Sequence, residues 1–203
     1  MFLRIKFFLL LTVIFSNIAF SAINPDELVR KTADDVIATI KADKKIQEGD
    51  RDKIYKLAEE KILPNFDFDK ISRLVIGKYW RRANLEQKNK FQEEFKNLLL
   101  RTYAVALSKY QDQKIEYKPM RMKPNDKIVT VKTEIIQSEA QPVKVDYILS
   151  KNDNDGWLVI DIIIEGVSLV TNYRSQFASE IKSKGMDGLI EALSKKNKSG
   201  NEG

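Results

Sequence analysis

The feature that most constrains this chain is an apolar strand that runs into a helix near the C-terminus. Residues 157–164 contain one charged side chain, Asp161, and aliphatic residues fill nearly all the other positions. Because side chains alternate between the two faces of a strand, apolar residues occur on both faces here. A strand with water on one side alternates more cleanly, so this strand is predicted to be covered on both sides. Strict alternation places Asp161 on the same face as Trp157.

The apolar surface of this strand has two interpretations. It belongs to a filled core, or part of it lines a cavity for an apolar ligand. The same ambiguity holds for the longest predicted helix, at about residues 85–110, whose apolar side chains keep to one broad face. Periodicity does not distinguish the two interpretations, because core residues and cavity-lining residues occupy the same positions.

The rest of the chain changes character about halfway along. Apolar residues at helical spacing predict helices over about residues 25–110. A run of turn-forming residues at 152–156 predicts a hairpin into the apolar strand. The other predicted elements are strands at 114–117, 128–136 and 143–149 and two closing helices separated at Gly185. Helices followed by an antiparallel meander indicate the α+β class, with helices packed on one face of a curved sheet.

Both ends of the chain carry segments that are predicted to lie outside this domain. Residues 1–21 have a basic start, an apolar stretch and a small-residue cleavage site, which predicts a cleaved secretory signal peptide. A membrane anchor is the alternative, but the apolar stretch is short for a span of about 20 residues. Residues 22–194 are predicted to form a single domain, and the lysine-rich residues 195–203 a disordered tail.

The composition excludes several kinds of active site. The chain has no Cys and no His, so a thiol nucleophile, a Ser-His-Asp triad and thiolate or imidazole metal sites are impossible. The acidic turn at 152–156 lacks the ligand spacing of an EF-hand. The net charge of +6 is a mild excess that favours solvated faces over a surface for anionic headgroups or an acidic partner, and no nucleic-acid partner is predicted. No metal site and no cofactor is predicted.

Asp161 is the one acid that an enzymatic mechanism could use. A carboxylate in an apolar pocket can serve as a general base. The alternative is a structural pairing with a nearby arginine, such as Arg174 or Arg81. No second catalytic group accompanies Asp161, so the residues favour the pairing and the chain is not predicted to be an enzyme.

Two long motifs carry a resemblance to a known family. The C-terminal motif reads Trp157…Asp161…Glu165-Gly166-Val167-Ser168…Asn172-Tyr173-Arg174…Phe177. The upstream motif reads Ile62-Leu63-Pro64-Asn65-Phe66-Asp67-Phe68, Ile71-Ser72-Arg73 and Gly77-Lys78-Tyr79-Trp80-Arg81, and continues through Gln87, Phe91, Phe95, Leu98-Leu99 and Thr102-Tyr103-Ala104. Together they span about residues 25–193 and resemble the periplasmic phospholipid-binding Mla family, which includes MlaC and the toluene-tolerance auxiliary proteins.

The resemblance implies both a fold and a function. The implied fold is the cone of the nuclear-transport-factor-2-like (NTF2-like) proteins, with the additional helices as a small subdomain. The implied function is a phospholipid carrier in the periplasm, which exchanges lipid with an inner-membrane ABC transporter complex and an outer-membrane lipoprotein–porin complex and so maintains outer-membrane lipid asymmetry. Phospholipid is then cargo rather than a cofactor. An enzyme of the same fold that uses Asp161, and a ligand-free adaptor domain, remain as alternatives.

A carrier of this kind needs an apolar cavity for acyl chains. We expect its lining to come from the inward stripe of each element, although an error of one residue in register would turn a strand's side chains to the other face. The predicted lipid-binding residues are Leu74, Phe95, Leu99, Tyr103, Val131, Tyr147 and Ile164.

Overall fold

The computed structural model describes residues 23–110, 113–137 and 140–199, and the expected signal peptide and residues 200–203 lie outside these ranges. The helices are α1 (Pro25–Ala42), α2 (Lys44–Gln47), α3 (Arg51–Leu57), α4 (Phe68–Ile76), α5 (Leu85–Leu99), α6 (Val105–Ser108) and α7 (Leu169–Ser199). The strands are β1 (Lys114–Tyr117), β2 (Ile128–Ile136), β3 (Val143–Lys151), β4 (Trp157–Ile164) and β5 (Val167–Ser168). The predicted α+β class is confirmed, while the likeness to an NTF2-like cone stays a prediction.

Side-chain caps stabilise the first turns of α3, α4 and α5. The carboxylates of Asp50 and Asp67 each accept a hydrogen bond from the backbone amide three residues later. Asn84 and Gln87 form a reciprocal capping box at the start of α5. These acceptors satisfy amides that have no partner within the helix, so α3, α4 and α5 each begin directly after a capping residue.

The longest predicted helix is interrupted rather than continuous. α5 ends at Leu99, and a π-helical turn over Leu100–Ala104 precedes α6. A second π-helical turn, Ala58–Ile62, follows α3, and Ala58 packs in one apolar cluster with Leu100 and Ala104. A π-helical turn inserts a residue into the helical period, which redirects the apolar stripe and lets the helix contribute to two clusters.

The sheet is an antiparallel meander in the order β1-β2-β3-β4-β5. Its β3–β4 turn is closed by Asn152, whose side-chain oxygen accepts hydrogen bonds from the amides of Asn154 and Gly156. The β4–β5 turn has positive φ at both Glu165 and Gly166, 49° and 81°. Positive φ at both central residues matches the right-handed twist of the flanking strands, which explains why a two-residue connection suffices here.

A β-bulge in β4 corrects the predicted faces of that strand. Ile148 pairs with Asp161 while Leu149 pairs with Val159, so Ile160 has no partner on β3. One extra residue shifts the alternation by one position. Asp161 therefore lies on the face opposite Trp157 and Val159, contrary to the expectation from strict alternation.

The C-terminal helix is longer than predicted. α7 bends at Gly185, whose φ of 75° is outside the helical range, so the two predicted segments are present and joined. The second segment continues to Ser199, which makes the first five residues of the expected disordered tail helical. Asn197 anchors this end, because its side-chain amide donates to the Glu94 backbone oxygen at 2.9 Å and to the Glu94 carboxylate at 2.7 Å.

The apolar interior has three parts. The first joins α4, α5 and α7, the second joins α1, α2 and α3 to the Leu100–Ala104 turn, and the third joins α1 to the sheet. Phe66 packs against both the first and the third, because its backbone forms a bridge to Val159 at the edge of β4. In the described part of the chain, every helix is too short or too polar to cross a membrane.

Candidate functional site

The cross-strand pairs place most of the sheet's apolar side chains on one face, which we call the inner face. Its rows of paired residues are Val129–Leu149–Val159, Val131–Tyr147–Ile162, Tyr117–Thr133–Val145–Ile164 and Ile115–Ile135–Val143. The opposite face of β1, β2 and β3 carries mainly polar and charged residues, which are Glu116, Thr130, Lys132, Glu134, Lys144 and Asp146. The sheet is therefore amphipathic, and the inner face is the side that can hold an apolar ligand.

Packing on the inner face decreases from one end of the strands to the other. In the first row, the exposed fractions are 0% for Leu149 and 3% for Val159, and Val29 of α1 packs in the same cluster. The last row, Ile115–Ile135–Val143, is only half-buried throughout. Ile162 and Ile164 are also half-buried. A row of branched aliphatic side chains that protein does not fully cover is suited to contact with an acyl chain.

Three of the predicted lipid-binding residues lie together on the inner face. Val131 and Tyr147 are direct cross-strand partners, and Ile164 lies in the adjacent row through its pairing with Val145. Val131 is buried, whereas Tyr147 and Ile164 are half-buried. That Tyr147 and Ile164 contact lipid stays a prediction.

The other four predicted residues belong to the helical cluster of α4, α5 and α7. Phe95 is 1% exposed and contacts the rings of Phe68, Phe91, Tyr173 and Phe177 at centroid distances of 5.2–5.7 Å. Such a ring cluster is densely packed, so Phe95 is a core residue in this structure. Leu74, Leu99 and Tyr103 pack half-buried against the same cluster.

A pair of tyrosine hydroxyl groups lies at the border of this cluster. Tyr103 is in the π-helical turn, and its hydroxyl is 3.5 Å from that of Tyr173. Burial of Tyr173, together with its hydrogen bond to Tyr103, raises the pKa of Tyr173 far above its usual value of 10.0. The Tyr173 hydroxyl is therefore a neutral donor or acceptor at any physiological pH.

Asp161 has a structural role, as predicted, but its partners differ from the predicted arginine. One carboxylate oxygen accepts a hydrogen bond from the Val170 backbone amide at 3.0 Å, and the other accepts one from the Ser168 hydroxyl at 2.5 Å. Ser168 in turn accepts from the Thr171 amide. The two side chains thus cap the first turn of α7, and both carboxylate oxygens are occupied.

The expected pairing of Asp161 with Arg174 or Arg81 is wrong. The Arg174 side chain donates instead to the Leu74 backbone oxygen at 2.7 Å, which ties α7 to the last turn of α4. The Arg81 side chain is exposed. The Val170 amide and the Ser168 hydroxyl replace the arginine as partners of Asp161, because a helix N-terminus offers unpaired N–H groups and a positive dipole end.

Sequence reasoning missed Tyr117, which lies on the inner face opposite Thr133. Its hydroxyl oxygen is buried and has no hydrogen-bond partner among the described residues. Burial raises the pKa of Tyr117, and burial likewise raises the pKa of Tyr147 to about 12. The only sequence signal was the alternation of Ile115 and Tyr117 with charged residues in a four-residue strand, which does not identify a site.

Two grooves lie elsewhere on the molecule, apart from the inner face. Two open grooves of about 310 and about 410 Å³ lie against the helices, and neither includes an inner-face residue. Charged residues line both of them, among them Asp35 in the first and Arg101 in the second. Within the described ranges, no three acidic side chains are grouped closely enough to hold a metal ion.

Comparison with known proteins gives one consistent family. The family model described as "MlaC protein" matches residues 30–195. The chain is 24% identical to the intermembrane phospholipid transport system binding protein MlaC of Haemophilus influenzae, over 90% of this chain and 86% of that protein. It is 28% identical to the toluene tolerance protein ttg2D of Pseudomonas putida, over 88% of this chain and 83% of that protein.

A solved structure agrees with these relatives. It is that of a phospholipid-binding protein from Ralstonia solanacearum in complex with a phospholipid. The two folds superpose with a TM-score of 0.84 and 36% sequence identity, over 89% of this chain and all of the other. The similarity thus includes the helices as well as the sheet.

Proposed function

This chain belongs to the MlaC protein family, and on that premise we propose that it carries phospholipid with the acyl chains held against the inner face of the sheet. The observation that carries the proposal is the half-buried row Ile115–Ile135–Val143. The row lies on the apolar side of an amphipathic sheet. The related protein from Ralstonia solanacearum has the same fold and was solved with a phospholipid bound.

Burial of acyl chains supplies the binding free energy. Each methylene group removed from water contributes about 0.8 kcal/mol, so a chain of about 16 carbons contributes on the order of 12 kcal/mol. A bilayer offers the same gain, so a carrier has to match the bilayer rather than exceed it. A partly covered apolar face meets this requirement, since lipid can enter and leave without disruption of a closed core.

The headgroup stays near solvent in this arrangement. Acyl chains on the inner face leave the charged groups of the lipid at the border of the sheet, where water solvates them. Taking a charged phosphate into an apolar interior would cost several kcal/mol. We therefore expect weak selectivity among headgroups.

The cellular setting follows from the family. We propose that residues 1–21 are removed on export and that the protein acts in the periplasm. There it would exchange lipid with an inner-membrane ABC transporter complex of the Mla system and with an outer-membrane lipoprotein–porin complex. The Haemophilus influenzae relative is named as an intermembrane phospholipid transport system binding protein, which supports this setting.

The experiment that tests the carrier function is mass spectrometry of an organic extract of the purified mature protein. We expect phospholipid in near-stoichiometric amount. A protein that purifies without lipid, and takes up none from phospholipid vesicles, would instead support the ligand-free adaptor.

The enzyme alternative loses its one candidate residue. Both oxygens of Asp161 accept hydrogen bonds from the start of α7, so this carboxylate is not available as a general base. The relatives are named as binding and transport proteins, which agrees with a role in binding rather than catalysis.

A further inference from the structure

Tyr117 has a buried hydrogen-bond donor without an acceptor. Its side chain packs in the apolar cluster between α1 and the sheet, and no described residue accepts from its hydroxyl. An unsatisfied buried hydroxyl is destabilising, because it loses its hydrogen bonds to water and gains none in return. Most buried polar groups in folded proteins have a hydrogen-bond partner, so the Tyr117 hydroxyl is an exception.

The ring of Tyr117 lies at the border between solvent and the apolar interior. The guanidinium carbon of Arg30 is 3.9 Å from the ring centroid, and the Arg30 side chain is exposed. On the sheet, Ile115 lies two residues away on the same face, in the half-buried row. Tyr117 thus stands between an exposed cation and the surface proposed to hold acyl chains.

The order of groups along a phospholipid matches this order of residues. A charged phosphate comes first, the ester linkages follow, and the acyl chains come last. The buried hydroxyl is a poor partner for the phosphate, because an anion in that apolar cluster would lose its hydration. A neutral ester carbonyl oxygen is an acceptor that can be buried at low cost once it is hydrogen-bonded.

We propose that the Tyr117 hydroxyl donates a hydrogen bond to an ester carbonyl oxygen of the bound phospholipid. The inference rests on the proposed carrier function and adds a specific polar contact to it. Tyr117 then sets the depth to which the lipid enters, with the chains on the inner face and the phosphate near Arg30. Ester-linked lipids are preferred over ether-linked lipids, which lack the carbonyl oxygen.

The test compares lipids that differ only in this oxygen. Lipid-free protein is incubated with vesicles that contain equal amounts of diacyl phosphatidylethanolamine and its dialkyl ether analogue with chains of equal length. Mass spectrometry of the re-isolated protein gives the bound ester-to-ether ratio. We expect Tyr117→Phe to lower this ratio about 3- to 10-fold relative to the parent, the effect of one net hydrogen bond. Any difference in how readily the two lipids leave the vesicle cancels in this comparison.

Two controls separate a lipid contact from a structural role. Tyr79→Phe removes a hydroxyl from a half-buried tyrosine of the helical cluster, and it should leave the ratio unchanged. The melting temperature of lipid-free Tyr117→Phe should equal or exceed that of the parent, because the lost hydroxyl has no partner. A lower melting temperature would mean that the hydroxyl serves the fold and would overturn the inference.

The remaining outcomes are also decisive. An unchanged ratio in Tyr117→Phe overturns the inference while the parent still binds lipid. If Tyr117→Phe binds less of both lipids than the parent does, but in the same ester-to-ether ratio, the hydroxyl does not contact the carbonyl and the inference is also overturned. If the parent takes up neither lipid, the proposed carrier function itself fails, and this result is distinguishable from the others.

Discussion

Asp161 is the residue whose role separates a carrier from an enzyme in this fold. Its carboxylate lies on the side of β4 opposite Trp157 because of the bulge at Ile160. From there it accepts hydrogen bonds from the Val170 amide and the Ser168 hydroxyl. The acid thus joins the sheet to the start of α7, where the unpaired amides of the first helical turn lie.

Replacement of this carboxylate should lower stability without loss of lipid. We expect Asp161→Ala to reduce the free energy of unfolding by about 1 to 3 kcal/mol, since two hydrogen bonds and a helix cap are lost. Asp161→Asn should cost less, because its amide oxygen can still accept from Val170. Urea unfolding and lipid content of each variant provide the measurement. Asp153→Ala, in the exposed β3–β4 turn, is the control; normal stability of Asp161→Ala would contradict this role.

Tyr147 should make stability depend on pH at the alkaline end. Burial raises its pKa to about 12 in the folded state, from 10.0 in the unfolded chain. The folded protein therefore keeps a proton that the unfolded chain loses above pH 10, so stability falls as pH rises from 10 towards 12. At pH 11 the loss from this group is about 1 kcal/mol. Below pH 9 it makes no difference.

The measurement is urea unfolding of lipid-free parent and Tyr147→Phe at pH 8 and pH 11. The variant should lose less stability than the parent over this interval, and the difference isolates Tyr147 from lysines that titrate in the same range. Equal losses in the two proteins would show that the Tyr147 hydroxyl is solvated rather than buried.

At the scale of elements, β4 shows what the sequence can and cannot predict. The strand, its hairpin turn and its pairing with β3 follow from local patterns, because alternation and turn residues act over a few positions. The bulge at Ile160 depends on how Asp161 meets α7, a contact between elements. The π-helical turn at Leu100–Ala104 also depends on a contact between elements. It packs against α3, and no local sequence pattern predicts it.

The candidate site follows the same division. Alternation placed Val131 and Tyr147 on the apolar faces of their strands, and the register shows that they are direct cross-strand partners. For the helices, periodicity identified Phe95 and Leu99 equally well, although Phe95 is enclosed by rings and Leu99 is half-buried. The difference arises from the tertiary fit of neighbouring helices. For Tyr117, the alternation within a four-residue strand was too short a signal to identify a site residue.

A larger side chain on the half-buried part of the inner face should exclude lipid. We expect Ile164→Trp to reduce co-purified phospholipid at least about twofold, because the indole fills space that an acyl chain would use. Where protein already fills the space, overpacking costs about 1 to 3 kcal/mol instead. Lipid content and thermal melting, measured on the same preparation, separate these results.

Ile163→Trp is the matched control for this prediction. Ile163 is the neighbouring half-buried isoleucine, and its pairing with Asp146 places it on the opposite face of the sheet. The Ile163→Trp variant should retain the lipid content of the parent, even if its melting temperature is lower. Equal lipid loss in the two variants would argue against the inner face as the site.

At the scale of the whole molecule, stability and cargo are linked. Three apolar clusters hold the helices and the sheet, yet one end of the inner face stays partly uncovered. The uncovered part contributes little to the stability of the lipid-free protein, because aliphatic side chains that stay in contact with water add no burial of apolar surface on folding. Lipid that covers these residues adds to the stability of the folded state alone, because the unfolded chain has no inner face.

Removal of lipid should therefore lower the melting temperature. A ligand present at 100 times its Kd stabilises the folded state by about 2.7 kcal/mol, which for a domain of this size is a shift of about 5 to 10 °C. The comparison is between lipid-loaded protein and protein stripped by refolding from denaturant with detergent extraction, with reloading from vesicles to show reversibility. Ile164→Trp should show a smaller shift on stripping than the parent, because it carries less lipid to begin with. If the lipid-free and the lipid-loaded parent protein melted at the same temperature, the lipid would not be bound to a surface that forms on folding. That result would contradict the inner face as the binding site.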